Sequence, residues 1–320
     1  MSLRIYKFDS IKVWCMLLVI IVHTLNNSYG SVGQEMIRFF CLCYTMPMFA
    51  FISGYFSKPD SSFRKNVTTL LIPCILFTLV NDGVQLLVCP NYHFTLTTPG
   101  FAMWYLWALF VYRISLPYLL KIPNIIILSF VLTWIVGFIP QINRTMSLSR
   151  IICFLPYFLL GYKIANEKYF HKWKRIILTP INKWGGVILL FLIFLIWWMI
   201  IYIRPGYTIA TGFDGGYGLS IMGMILRMAL QATILITGFL VIRLFPNKKL
   251  WFTRYGVRTM NVYLLHSIIV LPLAYQVFPP FVEADWLERI MMIALPTVLC
   301  IPLFSRVVDK TMKLLLGAIK

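Results

Sequence analysis

Ten apolar runs, each about as long as a membrane-spanning helix, make up most of this 320-residue chain. An α-helix needs about 17–25 apolar residues to cross a hydrocarbon core about 30 Å thick. The runs lie at 10–27, 36–56, 69–89, 102–120, 123–140, 149–165, 186–203, 219–242, 257–278 and 287–308. They predict an all-α protein with about ten transmembrane helices, which passes many times through the lipid bilayer of a cell membrane, plasma or inner.

The overall composition also excludes an ordinary soluble domain. Apolar residues account for 60% of the chain and charged residues for 12%, and the mean hydropathy is +0.82. Soluble domains carry about twice that charged fraction. Residues 1–320 contain no long polar stretch, so we predict a single integral membrane domain without a fused soluble domain. The first apolar run continues past the length of a signal-peptide core, and no small-residue cleavage site follows it.

The positive charges predict an orientation. The formal net charge is +19, and most of the 29 Lys and Arg residues fall in alternate loops of the ten-span arrangement. Loops rich in Lys and Arg face the cytoplasm, so both termini are predicted to be cytoplasmic. Because this distribution already accounts for the basic charge, nucleic acid is not expected as a partner. No cysteine or histidine spacing typical of a metal site occurs, so no metal is predicted.

Polar residues form a stripe along the first apolar run. Lys12 and His23 are eleven residues apart, which places them on one face of a helix. Asp9 lies one turn before Lys12, and Asn26 lies about one turn beyond His23. Each ionisable group at membrane depth costs about 2.5–3.5 kcal/mol on insertion scales, so the stripe should face protein or water. We therefore regard this stripe as the first candidate for a functional site.

Further polar residues are expected to meet His23 in the outer half of the bundle. In the predicted topology His266 lies at mid to outer depth, Asp82 is near the outer end of its helix, and Glu35 begins the second span. Histidine has an unperturbed pKa of about 6.5, which suits proton transfer near neutral pH. Two histidines with nearby carboxylates therefore indicate a site for proton transfer.

Each of these residues also has a purely structural explanation. Asp9 can serve as the N-cap of the first helix, and Lys12 can extend its ammonium group to the lipid headgroups. His266 can be a hydrogen-bonded packing residue. Glu35 and Arg38 are three residues apart and can pair with each other. His23 is hardest to explain in this way, because it is deep in the span and aligned with Lys12.

Six sequence motifs resemble those of the acyltransferase-3 family of integral membrane acyltransferases, in the order in which the family has them. The first is Asp9-x-x-Lys12-x10-His23, and the others are MPMFAFISGY at 46–55, RKNVTTLLIP at 64–73, WYL at 104–106, FLPYFLLG at 154–161 and VYLLH at 262–266. The most similar branch is that of the fucose 4-O-acetylase-like sugar O-acetyltransferases. The family often has an Arg-x-x-Arg pair after the second span, and Val67 stands here in place of the second arginine.

The resemblance implies an O-acyltransferase, most specifically an O-acetyltransferase. Its donor would be cytoplasmic acetyl-CoA, or another acyl-CoA, and its acceptor a sugar hydroxyl of a surface polysaccharide or of a lipid-linked glycan precursor. Polysaccharide synthesis machinery is a further expected partner. In this interpretation His23 deprotonates the acceptor hydroxyl, Lys12 holds the donor or pairs with Asp9, and His266 lines the acceptor cavity. An acyl-histidine relay across the membrane is a second route.

The same interpretation assigns two binding regions. Acceptor binding is assigned to polar or aromatic residues on the outer side, namely Asn26, Glu35, Asp82 and Trp104. Donor binding is assigned to a basic inner mouth, whose cations would pair with the CoA phosphates, and to a small-residue pair at the end of the second span. These donor residues are Ser53, Gly54, Lys58, Arg64, Lys65, Arg254 and Arg258.

Two other classes of protein remain as alternatives. A transporter or flippase for a polysaccharide intermediate would also carry histidines and carboxylates inside the membrane. Many transporters show an internal repeat, and this sequence shows none. A structural subunit of a polysaccharide synthase complex would leave Lys12 and His23 without a role.

Overall fold

The computed structural model describes residues 4–25, 32–89, 92–94, 97, 99–139, 141–142, 145–203, 216–279 and 283–317. Within these ranges the secondary structure is helical, without strands. The α-helices are α1 Tyr6–Thr24, α2 Val32–Tyr44, α3 Met46–Tyr55, α4 Phe63–Asn66, α5 Ile72–Val88, α6 Trp104–Leu119, α7 Ile125–Val136, α8 Leu148–Asn166, α9 His171–Leu178, α10 Lys183–Ile203, α11 Ile221–Leu244, α12 Thr259–Pro272, α13 Trp286–Cys300 and α14 Arg306–Gly317.

Seven helical segments of the described chain are long and apolar enough to cross a membrane. They are Gly33–Tyr55, Phe63–Val88, Leu148–Asn166, Lys183–Ile203, Ile221–Leu244, Thr259–Val277 and Trp286–Phe304. An all-helical, multi-pass membrane protein is thus confirmed. The other three predicted runs are helical as well, but α1 carries three charged residues near its start, and α6 and α7 have only 16 and 12 residues. The count of ten spans and the cytoplasmic position of both termini stay predictions.

Proline residues explain two departures from straight spans. The predicted span 36–56 is divided into α2 and α3 at Thr45, and Pro47 lies in the first turn of α3. Proline has no N–H for the preceding turn, so it is tolerated where a helix begins. Similarly, a π-helical turn at Val67–Leu71 joins α4 to α5 just before Pro73. Neither break removes a predicted span.

Helix α1 lies in the centre of the bundle. It packs against α2, α12 and α13 and against the 3-10 turn Thr253–Val257. Buried side chains occur on all sides of α1, as Phe8, Ser10, Met16 and Leu18 show. A helix that is apolar and buried all round belongs to the interior rather than to the lipid surface. The polar residues of α1 therefore face protein.

Helices α3 and α8 cross at two glycines. A Cβ atom on Gly54 would overlap the backbone carbonyl of Phe158, and one on Gly161 would overlap the carbonyl of Phe51. Small residues at such a crossing let two membrane helices approach closely, and packing between backbones then stabilises the pair. The crossing holds α3 and α8 in a fixed relation on one side of the bundle.

Replacement of Gly161 by alanine should therefore destabilise the protein. Alanine normally stabilises a helix interior by about 0.8–1.0 kcal/mol relative to glycine. Overpacking against a backbone that cannot rotate away costs about 1–3 kcal/mol, so the net effect should be a loss. Thermal unfolding of purified protein in detergent measures it. Gly83→Ala is the control because nothing lies within 4 Å of a Cβ at Gly83. Equal melting temperatures for the two variants would contradict the crossing.

Candidate active site

Two histidine rings meet in the interior of the bundle. The ring centroids of His23 on α1 and His266 on α12 are 5.4 Å apart. Phe101, from the segment before α6, contacts both, with ring centroids 4.3 Å from His23 and 5.7 Å from His266. Phe101 has a φ of 46°, which is uncommon for a residue with a side chain. Such backbone strain occurs often at functional sites.

The hydrogen bonds of His266 define which of its ring nitrogens can accept a proton. His266 is fully buried, and its Nδ1 lies 2.8 Å from the carbonyl oxygen of Tyr263 and 3.2 Å from that of Val262. A carbonyl can only accept, so in the neutral ring Nδ1 carries the hydrogen and Nε2 has the lone pair. That Nε2 atom is buried and has no hydrogen-bond partner among the described residues. It is therefore available to a substrate hydroxyl or to water.

His23 has an available nitrogen as well. Its ring is half-buried, and its Nδ1 atom is buried without a hydrogen-bond partner in the described part of the chain. Buried polar atoms are nearly always hydrogen-bonded, so two such atoms on neighbouring rings need an explanation. A bound substrate that supplies hydroxyl groups is a simple one. The pair can thus take part in proton transfer or orient a polyhydroxylated molecule.

Amide, hydroxyl and carboxylate groups from α5 and α12 lie close to the histidine pair. Ser267, which follows His266, donates a hydrogen bond to Oδ1 of Asn81. Asp82 accepts a bond of 2.6 Å from the hydroxyl of Tyr92, and its Oδ2 is buried without a partner in the described chain. Gly100 packs directly on the Asp82 carboxylate, and the next residue is the Phe101 that contacts both rings. The predicted acceptor residue Asp82 is therefore near the pair.

Two arginines contribute positive charge around His23. Arg38 and Arg150 are both within electrostatic range of its ring. Arg38 pairs with Glu35 at 3.2 Å, so the pair expected from their spacing is present. The Arg150 guanidinium lies 5.0 Å from the ring centroid of Trp104, which places Trp104 at the edge of this region. Fixed cations near a site of acyl transfer stabilise the negative charge that develops on the reacting carbonyl oxygen.

At the other end of α1, Asp9 is held by two cations. Its carboxylate accepts from Lys12 at 2.8 Å and from Arg4 at 2.7 Å. The structural alternative in which Asp9 is the N-cap does not hold, because α1 begins at Tyr6 and its N-cap residue is Ile5. Lys12 pairs with Asp9 and keeps 24% of its side chain exposed. Lys12 is expected either to hold the donor or to pair with Asp9, and the structure shows the pair with Asp9.

Ser53 and Gly54 have partners within the bundle. The hydroxyl of Ser53 is 2.9 Å from that of Tyr105 on α6. Gly54 is covered by α8, because its backbone touches that of Phe158. A donor molecule therefore cannot approach Gly54 on this face, and the absence of a side chain there serves helix packing. Ser53 is half-buried, and its hydroxyl contacts that of a tyrosine.

The basic residues assigned to the donor lie at exposed turns. Lys58 is exposed after the end of α3, and Arg64 and Lys65 are exposed in the short helix α4. Arg254 is exposed and lies over the ring of Tyr255 at 4.9 Å. Arg258 donates a bond of 3.0 Å to the carbonyl of Phe304. The turn that carries Arg254 packs against Asp9 through Gly256, so at least this cation is close to the start of α1.

A line of tyrosines connects the region of Ser53 with the histidines. The ring centroids of Tyr105 and Tyr263 are 6.0 Å apart, and those of Tyr263 and His266 are 6.1 Å apart. The Tyr263 hydroxyl donates to the carbonyl of Ala102. Both tyrosines lie inside motifs that resemble the family, although the sequence predicts only Trp104 and His266 from these two motifs as site residues.

The predicted acceptor residue Asn26 lies outside the described residues.

The described chain is a helical membrane protein with two neighbouring histidines in its bundle, one fully buried and one half-buried. A model of the acyltransferase-3 family, which describes an acyltransferase domain, matches residues 5–305. The chain therefore belongs to the acyltransferase-3 family and is a membrane acyltransferase. The match includes every candidate residue from Asp9 to His266. Comparisons with curated proteins and with solved structures give no match.

Proposed function

We propose that this protein is an O-acetyltransferase of the plasma or inner membrane, in the fucose 4-O-acetylase-like branch of its family. It moves the acetyl group of cytoplasmic acetyl-CoA to a sugar hydroxyl of a surface polysaccharide or of its lipid-linked precursor. The observation that carries this proposal is a pair of buried imidazole nitrogens, His23 Nδ1 and His266 Nε2, on neighbouring rings, neither of which has a hydrogen-bond partner among the described residues. A sugar supplies the hydroxyl groups that such a pair can bind.

In this mechanism His23 is the general base. Its lone pair accepts the proton of the acceptor hydroxyl as the hydroxyl oxygen attacks the thioester carbonyl. The new C–O bond forms, the C–S bond breaks, and the CoA thiolate leaves and takes up a proton. His266 Nε2 accepts a hydrogen bond from a second hydroxyl of the sugar and so orients the ring. Arg38 and Arg150 contribute positive charge around His23, and in this mechanism that charge stabilises the negative charge on the carbonyl oxygen.

The position of the donor leaves two routes open. Lys12 and His23 are eleven residues apart on one helix, which corresponds to about 16 Å along its axis at 1.5 Å per residue. In direct transfer the acyl end of the donor reaches His23 through the interior, past Ser53 and the two tyrosines. In a relay His23 first attacks the thioester and carries the acyl group as an acyl-imidazole. Both routes require a free nitrogen on His23.

Analysis of surface polysaccharide tests the proposed function directly. Cells with the gene should carry base-labile O-acetyl groups on a glycan, and cells without it should lack them. Re-expression of the wild-type chain should restore the groups. An unchanged acetyl content after deletion would contradict the proposal, provided that no second acyltransferase acts on the same glycan. Labelled donors of different chain length establish whether acetyl is the group transferred.

Neutralisation of Arg64 and Lys65 tests the proposed donor mouth. If their charges pair with the CoA phosphates, Arg64→Gln with Lys65→Gln should raise KM for acetyl-CoA several-fold, by roughly 1–2 kcal/mol, and change kcat little. Both side chains are exposed, so the helix should stay intact. Lys248→Gln with Lys249→Gln is a matched control, since it removes the same charge from another exposed turn. Equal KM values in the two double variants would exclude a donor role.

A further inference from the structure

A large apolar cavity lies apart from the histidine site. Its volume is about 660 Å³, which is within the range of about 300–1,000 Å³ common for ligand sites. Side chains from α3, α8, α9 and α11 form its walls, among them Phe51, Leu160, Ile177 and Phe239. Trp173 also lines the cavity, and half of its surface is exposed, so the cavity reaches the outside of the bundle. None of the residues around the histidine pair lines it.

Polar and positively charged groups lie next to residues that line one end of this cavity. Tyr55 lies one helical turn beyond Phe51, and its hydroxyl is buried without a partner within the described chain. The ammonium group of Lys174 is 5.8 Å from the Tyr55 ring. Lys174 follows Trp173 in α9, so it lies beside the cavity wall. The hydroxyl and the ammonium group thus mark the same end.

Two more cations lie at this end. The Arg243 guanidinium is 5.3 Å from the ring centroid of Phe239, a wall residue. The ammonium group of Lys7 donates to the carbonyls of Ile177 and Leu178 at 3.1 and 3.2 Å, at the end of α9. The carboxylate of Glu167 is also near α9, but it pairs with Lys163 at 2.6 Å. The charge at this end of the cavity is therefore positive.

We propose that this cavity is a binding site for an anionic phospholipid, with a hydrocarbon chain inside it and the phosphate at the end formed by Tyr55, Lys174 and Arg243. Burial of an acyl chain is favourable by about 0.8 kcal/mol per CH₂ group. Basic pockets between membrane helices are typical sites for anionic headgroups. A zwitterionic lipid would gain the apolar contacts only. This site goes beyond acyl transfer and does not depend on the proposed donor or acceptor.

Gly238 offers a way to fill the cavity without disturbing the backbone. It lines the cavity, and the nearest atom to a Cβ there is the methyl group of Met48, at 3.7 Å. Gly238→Phe should therefore place its ring in the space that the lipid chain occupies. Gly185→Phe is the matched control, because Gly185 is exposed on α10 with nothing within 4 Å of its Cβ. Lys174→Gln with Arg243→Gln removes charge at the headgroup end and leaves the wall residues unchanged.

Native mass spectrometry of the purified full-length protein can measure lipid retention. Phosphatidylglycerol and phosphatidylcholine with identical chains are the two probes. Wild type and Gly185→Phe should retain phosphatidylglycerol preferentially, and Gly238→Phe should weaken its retention about tenfold or more, which is 1.4 kcal/mol. The Lys174/Arg243 double variant should lose the preference between the two lipids and remain folded, which keeps the test valid if Gly238→Phe folds poorly.

Three outcomes would overturn the proposal. Equal retention of the two lipids by wild type would show that the charged end does not select a headgroup. Equal retention by Gly238→Phe and Gly185→Phe, both folded, would show that the cavity is not the site. Displacement of the phospholipid by acyl-CoA would assign the cavity to the donor. None of these results measures acetyl transfer, so each leaves the proposed function standing.

Discussion

His23→Ala should abolish acetyl transfer while membrane insertion and protein abundance stay near wild type. Its Nδ1 has no hydrogen-bond partner in the described part of the chain and lies on the partly accessible ring of the pair, so it is the general base in the proposed mechanism. Loss of a general base costs about 10²–10⁴-fold in rate. Acceptor-dependent release of CoA from labelled acetyl-CoA, measured with purified protein, gives the effect directly.

Two further variants make this result specific. His23→Gln should fail as well, because an amide cannot take up the proton. His93→Ala is the control, since His93 is an exposed histidine that contacts neither ring of the pair. Full acetylation by folded His23→Ala protein would remove His23 from the chemistry. An acyl-imidazole trapped on wild type, and missing from the variant, would favour the relay over direct transfer.

The sequence predicts the helices well because their lengths follow from the thickness of the bilayer. Each of the ten apolar runs coincides with helical structure, including the short α6 and α7. A break in the helix near Pro47 and near Pro73 could be expected, since proline interrupts the hydrogen bonds of a helix. Whether α1 and the short helices cross the membrane depends on their neighbours, and apolar length alone does not determine it.

The candidate site can likewise be predicted from the sequence only in part. Helix geometry predicts that Lys12 and His23 lie on one face of α1, and the predicted depth of His266 in the membrane places it near His23. The partners of these residues depend on contacts between distant segments, such as the bond from Ser267 to Asn81. The close approach at Gly54 depends on α8, so sequence alone suggested a donor contact instead. No periodicity indicates that Phe101 takes a left-handed backbone conformation.

His266→Asn should remove most of the transfer activity and leave the fold intact. The asparagine amide can still donate to the carbonyl of Tyr263, as Nδ1 does, but it places no lone pair where Nε2 lies. If His266 orients the acceptor, its loss should slow transfer by about 10²-fold, because small errors in position carry a cost of that size. Some activity should remain, since His23 still acts as base. Wild-type activity in His266→Asn would make His266 a packing residue.

The same variants separate an enzyme from a proton-coupled transporter. In a transporter both histidines would relay protons, and the purified protein would release no CoA with any glycan. In the acyltransferase, acceptor-dependent CoA release should be strong in wild type, weak in His266→Asn and absent in His23→Ala. Proton-driven glycan flux into liposomes without CoA release would overturn the enzymatic interpretation. The asparagine side chain can keep the hydrogen bond to the carbonyl of Tyr263, and alanine cannot. Comparison of His266→Asn with His266→Ala therefore separates loss of chemistry from loss of structure.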